Sequence, residues 1–250
     1  MKKIRKKILA ALLTAVLLLT LSPATALRAE AAPNAADKKA CWISFLDIEE
    51  TIQDKSEQEF TQKLSSMYDN VARYGMNTVI VHVRAMGDAM YPSDYYPWSA
   101  SLSTDRSHPG YDPLQIMVNL AHQKNLQFEA WINPYRLSRD NKSTASFKAT
   151  PFYEQFRPYT IEYKAPGGQT CLALDPARKE TKDLITNGIR EIVRKYDVDG
   201  IHFDDYFYVP GMADHLDITS KKANVNALIL QVYQAIKSAK PACTFGISPA

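Results

Sequence analysis

The stretch DGIHFDDYFY, Asp199 to Tyr208, has the composition of a buried strand and ends in two adjacent carboxylates followed by three aromatics. Side chains alternate along a strand, so His202 and Asp204 share one face while Ile201, Phe203 and Asp205 take the other. Carboxylates at the C-terminal end of a parallel strand lie where (β/α) barrels place their chemistry. The neighbouring tyrosines offer flat apolar faces with polar tips, which suit the alternating CH and OH surface of a sugar. A surface turn with acidic residues and incidental tyrosines fits the same ten residues, so the choice rests on what surrounds them.

Upstream, Asp175-Pro176 supplies an N-cap and a first helical position, and Leu184, Ile189, Ile192 and Val193 follow as an inward stripe. Downstream, a helix through Val225, Leu228, Val232 and Ile236 ends before Pro241, and CTFGIS (Cys243 to Ser248) reads as a fifth strand. Nearer the N-terminus, CWISFLD (Cys41 to Asp47) reads as the first strand. Ser56 and Glu59 form a capping box, Phe60, Leu64, Met67 and Val71 keep helical spacing, and Gly75 stops that helix. NTVIVHVR (Asn77 to Arg84) is a second strand, Asp112-Pro113 opens a helix with Leu114, Met117, Val118 and Ala121 inward, and QFEAWIN (Gln127 to Asn133) is a third. TIEYK and QTCLALD flank Pro166-Gly167-Gly168 as a hairpin.

Alternating strands and helices call for a parallel α/β sheet with right-handed crossovers. No glycine-rich phosphate turn follows the first strand, which disfavours a dinucleotide-binding doubly wound sheet. Polar and aromatic residues cluster after strands two, three and four alike. The expected fold is therefore a (β/α)8 TIM-type barrel over residues 40–250, truncated after its fifth strand.

Five cations among residues 2–7 precede an apolar run from Ile8 to Leu21 and small residues near 24–31, the pattern of a secretory signal peptide over 1–31. Residues 32–39 read as a linker. The run is shorter than the ~20 residues a membrane span requires, and the expected location is secreted or extracytoplasmic, at the cell envelope. The full chain has 30 Lys and Arg and 27 Asp and Glu; taking away six basic residues and one acid in 1–31 leaves 24 and 26, a net charge of −2. The apparent basicity belongs to the leader, so nucleic acid is not an expected partner. Three cysteines, Cys41, Cys171 and Cys243, make no disulfide framework and have no metal-ligand spacing.

Three strand ends carry the candidate site. After strand two come Arg84, Asp88, Tyr91, Tyr95, Tyr96 and Trp98. Strand three contributes Glu129, Trp131 and Asn133 on one face, then Tyr135 and Arg136. Strand four contributes His202, Asp204 and Asp205, then Tyr206 and Tyr208. Arg84, Trp131, Asn133, Tyr135, Asp204 and Asp205 are expected to line one cavity. The motifs YPSDYYPWS, PGYDPL, AWINPYR, YDVDGIHFDDYFY, NVN and FGISP, in that order between Ala40 and Pro249, resemble the family-10-like glycosyl hydrolases, a bacterial extracytoplasmic (β/α)8 group. The resemblance implies a glycoside hydrolase acting on bacterial glycans, with peptidoglycan strands as the substrate class. It places the family's aspartate pair on Asp204 and Asp205, its Asn-Pro-Tyr-Arg turn on Asn133 to Arg136 and its strand-two arginine on Arg84. Position 129 departs from the pattern, with Glu where relatives are expected to carry His.

Glycoside cleavage uses one carboxyl to protonate the leaving oxygen and a second as nucleophile or as base for water. Asp204, facing inward, is the candidate general acid. The second carboxylate is Asp205, Asp88 or Glu129, or belongs to a further segment; on an N-acetylated sugar, a substrate-assisted route is an alternative. The remaining candidates bind sugar, and no cofactor or metal is expected. Two rival readings are a metal-dependent polysaccharide deacetylase or hydrolase, built on His202-x-Asp204 with Asp205, and a glycan-binding barrel without turnover.

Overall fold

Five strands run parallel and lie side by side in chain order. The computed structural model describes residues 37–248, so the leader expected at 1–31 and most of the linker fall outside the described residues. The elements are β1 (Ala40–Ile43), α1 (Phe45–Thr51), α2 (Glu57–Arg73), β2 (Thr78–Arg84), α3 (Pro113–Gln123), β3 (Gln127–Ile132), α4 (Asn141–Lys148) and α5 (Pro151–Phe156). A short 3-10 turn leads into β4 (Thr160–Lys164) and β5 (Thr170–Leu174), followed by α6 (Lys179–Lys195), β6 (Gly200–Phe203), α7 (Ile218–Ala239) and β7 (Thr244–Ile247). The main sheet has the order β1-β2-β3-β6-β7, every pair parallel, and β4-β5 is a separate antiparallel hairpin. Sequential parallel strands joined through helices are the (β/α)-barrel arrangement. No helix among the described residues is long and apolar enough to cross a membrane.

Local chemistry explains most boundaries. Ser56 and Glu59 form the expected capping box, Asp112 caps α3 ahead of Pro113, and Gly75 takes φ +73° just past α2. The sequence reading had only a hairpin in the connection after β3, where Asp140 and Thr150 also cap the short helices α4 and α5, and two boundaries shift as well. The first strand stops at Ile43, because Ser44 and Asp47 form a capping box and open α1. The Asp175-Pro176 pair does not start α6: the Asp175 carboxylate accepts from the Ala177 N–H and pairs with Arg178, and the helix begins at Lys179 without a side-chain cap.

Helices cover one face of the sheet. Val79, Val81, Val83, Phe128, Ala130, Ile132, Ile201 and Phe203 are fully buried there in one apolar core with residues of α2, α3, α6 and α7. The opposite face carries the polar residues in rows set by the parallel register. Trp42, Ile80, Glu129, Gly200 and Thr244 form one row, and His82, Trp131, His202 and Gly246 the next. Asn133 and Asp204 continue the alternation beyond the strand ends.

Two glycines make room on this face. A Cβ on Gly200 would meet Thr244 Oγ1 at 2.4 Å and Glu129 Cγ at 2.9 Å, and one on Gly246 would meet His202 Nδ1 at 2.9 Å. Glu129 is buried and held by Lys38, so it cannot easily give way, and Gly200→Ala should destabilise the fold by about 1–3 kcal/mol in urea unfolding. Gly167→Ala, where a Cβ meets nothing within 4 Å, should be close to neutral in the same assay.

Candidate active site

Asp204 follows β6 on the polar face, and three donors converge on its carboxylate. Trp131 Nε1 donates to Oδ2 at 3.2 Å, and Asn133 Nδ2 donates to Oδ1 at 3.0 Å and Oδ2 at 3.2 Å. The Tyr206 N–H closes a tight turn onto Oδ1 at 3.3 Å. Asn133 is itself fixed, because its Oδ1 accepts from the backbone N–H groups of Tyr135 and Arg136 at 3.2 and 2.8 Å. Those bonds settle which end of the amide faces Asp204. Burial pushes the Asp204 carboxyl above its ordinary value, although the charge of Arg136 and the three donors act in the opposite direction.

Aromatics frame this carboxylate. Trp131 stacks on His82 with centroids 3.3 Å apart, and Trp42 meets both Trp131 and His202 edge to face at 4.5 and 4.7 Å. Trp42 stays 41% exposed although it sits among buried rings, so it offers its surface on the polar face. Sequence reasoning passed over Trp42; the signal was its place in the β1 alternation between Cys41 and Ile43. It also passed over Phe45, whose ring carries Arg136 and Arg139 at 5.5 and 4.9 Å. Arg136 donates from Nε to the Ala85 carbonyl and lies over the Tyr206 ring at 4.9 Å, while Tyr206 shares a hydrogen bond with the Tyr163 hydroxyl at 2.8 Å.

Beneath this rim lies a second carboxylate in a different setting. Glu129 is buried beside Lys38, which donates to it, with Thr244 Oγ1 at 3.4 Å and His202 Nδ1 at 3.5 Å. Burial alone pushes its carboxyl up, but the nearby His202 ring and the bonded Lys38 outweigh that and hold it below its ordinary value. His202 Nε2 shares a hydrogen bond with Ser248 Oγ at 2.9 Å. Glu129 is thus a neutralised anion among its own row, and His202 connects it to the row above.

Several expected members of the cavity lie elsewhere. Arg84 falls on the wrong face. The register slips between His82 and Arg84, so that Arg84 aligns with the outward Ile132 and not with Asn133. Its guanidinium lies over the Tyr96 ring at 4.2 Å and close to Gly188 of α6, on the helix side. Asp88 is buried within the β2–α3 connection, where it accepts from Arg106 Nη1 at 3.0 Å and the Ala100 N–H at 3.3 Å. Trp98 meets His108 edge to face in that same connection, and Tyr91 and Tyr96 are buried in the apolar core. The YPSDYYPWS segment therefore builds a wall: Glu191 of α6 takes Ser93 Oγ at 2.6 Å and the Asp94 N–H at 2.7 Å.

Tyr135 is fully buried, with its ring edge to face against Phe207 at 6.3 Å and no hydrogen-bond partner for its hydroxyl among the described residues. It belongs to the core because the turn after Asn133 sends it away from the polar face. Tyr208 is drawn toward α7, where Asn224 Nδ2 donates to its hydroxyl at 3.1 Å and Lys221 lies over its ring at 5.4 Å. Asp205 points to solvent, with no side-chain hydrogen bond among the described residues. Among the described residues, no three His, Cys, Asp or Glu side chains converge on a cation site.

A parallel strand array whose C-terminal tips hold a carboxylate among tryptophans has the architecture of barrel glycosidases. Among solved structures, an α-L-fucosidase isoenzyme 2 from Paenibacillus thiaminolyticus superposes with a TM-score of 0.55 at 16% identity, over 84% of this chain and 32% of its own. The galactosidase domain of the α-galactosidase–sucrose kinase AgaSK gives 0.54 at 13%, over 85% and 27%. At such identities the likeness is one of fold. Residues 37–220 match the model of the glycosyl hydrolase-like 10 family, and the chain belongs to that family. It is 37% identical over 231 residues to glycosyl hydrolase YngK of Bacillus subtilis (strain 168), covering 84% of this chain and 44% of the relative. It is 36% identical over 214 residues to glycosyl hydrolase DigH of Escherichia coli (strain K12), covering 76% and 47%. The chain thus spans less than half the length of these curated relatives.

The raised Asp204 carboxyl has a consequence for stability. Between its unfolded and folded values, the folded protein keeps a proton that the unfolded chain has released, so stability falls as pH rises across that window. Asp204→Asn removes the buried charge while keeping an oxygen acceptor for Trp131 and Asn133. The variant should melt a few degrees higher than the parent at pH 7, the scale on which ~1 kcal/mol reads in a domain of this size. The difference should close below about pH 4, where the parent carboxyl is protonated in both states.

Proposed function

We propose that this chain carries the acid-catalytic part of a glycoside hydrolase, with Asp204 as general acid. The observation that carries the reading is Asp204 itself: a carboxyl raised by burial, on the polar face at the strand tips, steadied by Trp131 and Asn133 and bordered by sugar-sized aromatic surfaces. A carboxyl whose hold on its proton is strengthened by burial can deliver that proton to the glycosidic oxygen as the bond to the anomeric carbon breaks and water takes the leaving group's place. Trp131 and Asn133 then hold the carboxylate that remains. Trp42 and Tyr206 suit the faces of the sugar rings on either side.

Of the other carboxylates considered, Glu129 is bound to Lys38 and His202, and Asp88 to Arg106. Asp205 retains a solvent-facing side chain one residue from the acid, which makes it this chain's candidate for the second role. Membership of the glycosyl hydrolase-like 10 family, and relatives named glycosyl hydrolases, support carbohydrate as the substrate. The leader-like residues 1–31 support export, where the abundant bacterial polymers are glycans. The specific substrate proposed is the glycan strand of peptidoglycan, met at the cell envelope by a protein with no broad attraction to polyanions.

Expressed with its full native sequence, the protein should release oligosaccharides from peptidoglycan glycan strands without added metal. Asp204→Asn should lower kcat by at least ~100-fold while leaving binding largely intact. Because the acid must be protonated to act, kcat should fall as pH rises through the raised Asp204 value. Tight glycan binding without products under any condition would establish a binding barrel, and activity lost to a chelator and restored by zinc would establish metal-dependent hydrolysis.

A further inference from the structure

His82 lies one row below Asp204 on the polar face, and its imidazole has an unusual set of contacts. Nδ1 accepts the backbone N–H of Phe45 at 3.2 Å, which leaves the proton of the neutral ring on Nε2. The ring is sandwiched: Trp131 stacks on it at 3.3 Å and 16°, and Phe45 approaches at 5.5 Å. Nε2 is buried, has no hydrogen-bond partner among the described residues, and faces Asp204 Oδ2 at 3.9 Å. A buried N–H left open and directed at a carboxylate calls for an explanation. The titratable and charged groups around it are Asp204 from the tip of β6, Arg136 from the turn after β3, and Glu129 and His202 on the same face. Burial and the positive charge of Arg136 both keep this imidazole uncharged.

We propose that His82 is a positioning residue for the acid: a neutral Nε2–H donor, aimed at Asp204 and held in that tautomer by the start of α1, which closes onto the carboxylate when Asp204 gives up its proton. This rests on the general-acid reading of Asp204. The proton passes from Asp204 to the glycosidic oxygen, whose bond to the anomeric carbon breaks as that carbon takes a bond from water. The water's proton leaves to the second carboxylate, and His82 keeps its own proton throughout. At 3.9 Å the contact contributes little to the protonated carboxyl. It strengthens as negative charge develops on Oδ2, so the stabilisation falls on the transition state and product more than on the ground state. Trp131 serves both partners, bonding Asp204 through Nε1 and fixing the His82 ring by its face.

The test combines side-chain NMR with kinetics on the full-length protein. Nitrogen-15 shifts should show His82 neutral with the proton on Nε2 from pH 5 to 8. The carboxyl carbon of Asp204 should titrate about one pH unit higher in His82→Phe, which keeps the stack and loses the donor. In that variant kcat should fall about tenfold with KM within about twofold, and the alkaline limb should move with the carboxyl titration. His82→Gln, which offers an N–H from a similar reach, should restore the limb. Protonation of His82 in that range, a proton on Nδ1, or an unmoved Asp204 titration in folded His82→Phe would overturn the proposal. The NMR arm stands apart from turnover: a moved titration alongside a fully active Asp204→Asn would instead overturn the general-acid reading, and with it the catalytic role given to His82.

Discussion

One side-chain amide holds the polar face together. Asn133 uses its oxygen to receive two backbone N–H groups of the turn after β3, and its nitrogen to hold both oxygens of Asp204 after β6. The turn's direction and the carboxylate's position are therefore coupled through one rigid plane. The turn sends Tyr135 into the core and brings Arg136 back over Tyr206 and Phe45. Every contact is short and directional, so an amide is suited to the place and a carboxylate there would repel Asp204.

The two inward carboxylates show how environment assigns roles. Asp204 and Glu129 occupy neighbouring strands on the same face, and both are largely withdrawn from water. Glu129 has a lysine and a histidine beside it, and their attraction exceeds the cost of desolvation. Asp204 has neutral donors and a more distant arginine, and desolvation prevails. One carboxyl is driven to stay charged and the other to keep its proton. A site that needs an acid near neutral pH requires that divergence. Glycines on β6 and β7 make the arrangement sterically possible, because Glu129 and His202 occupy space that a Cβ would claim.

Much of this was legible in the chain. Caps at Ser56 and Asp112, the left-handed Gly75 and the alternating strands come from interactions within a few residues, and they appear in the structure where local chemistry put them. Trp131, Asn133 and Asp204 came together as expected, because strict alternation carried each to the same face of adjacent strands. Alternation failed at Arg84, where one register slip in β2 turned the side chain to the helix side. The Ser44–Asp47 capping box was present in the sequence, yet the β-rich composition around it outweighed that signal in the strand assignment.

What the sequence by itself determined was the order of the strands and of the long helices α2, α3, α6 and α7 between them, the caps that start α2 and α3, and the inward series on β3 and β6. Those follow from backbone hydrogen bonding and side-chain period, which act over short separations. Tertiary structure alone decided which polar residues share a cavity and what state each takes. The slip at Arg84 depends on how β2 aligns with β3, the pairing of Asp88 with Arg106 on the folding of a long connection, and the opposed settings of Asp204 and Glu129 on neighbours up to 115 positions away. Register, desolvation and charge pairing are properties of the assembled sheet, and they exist only once distant segments meet.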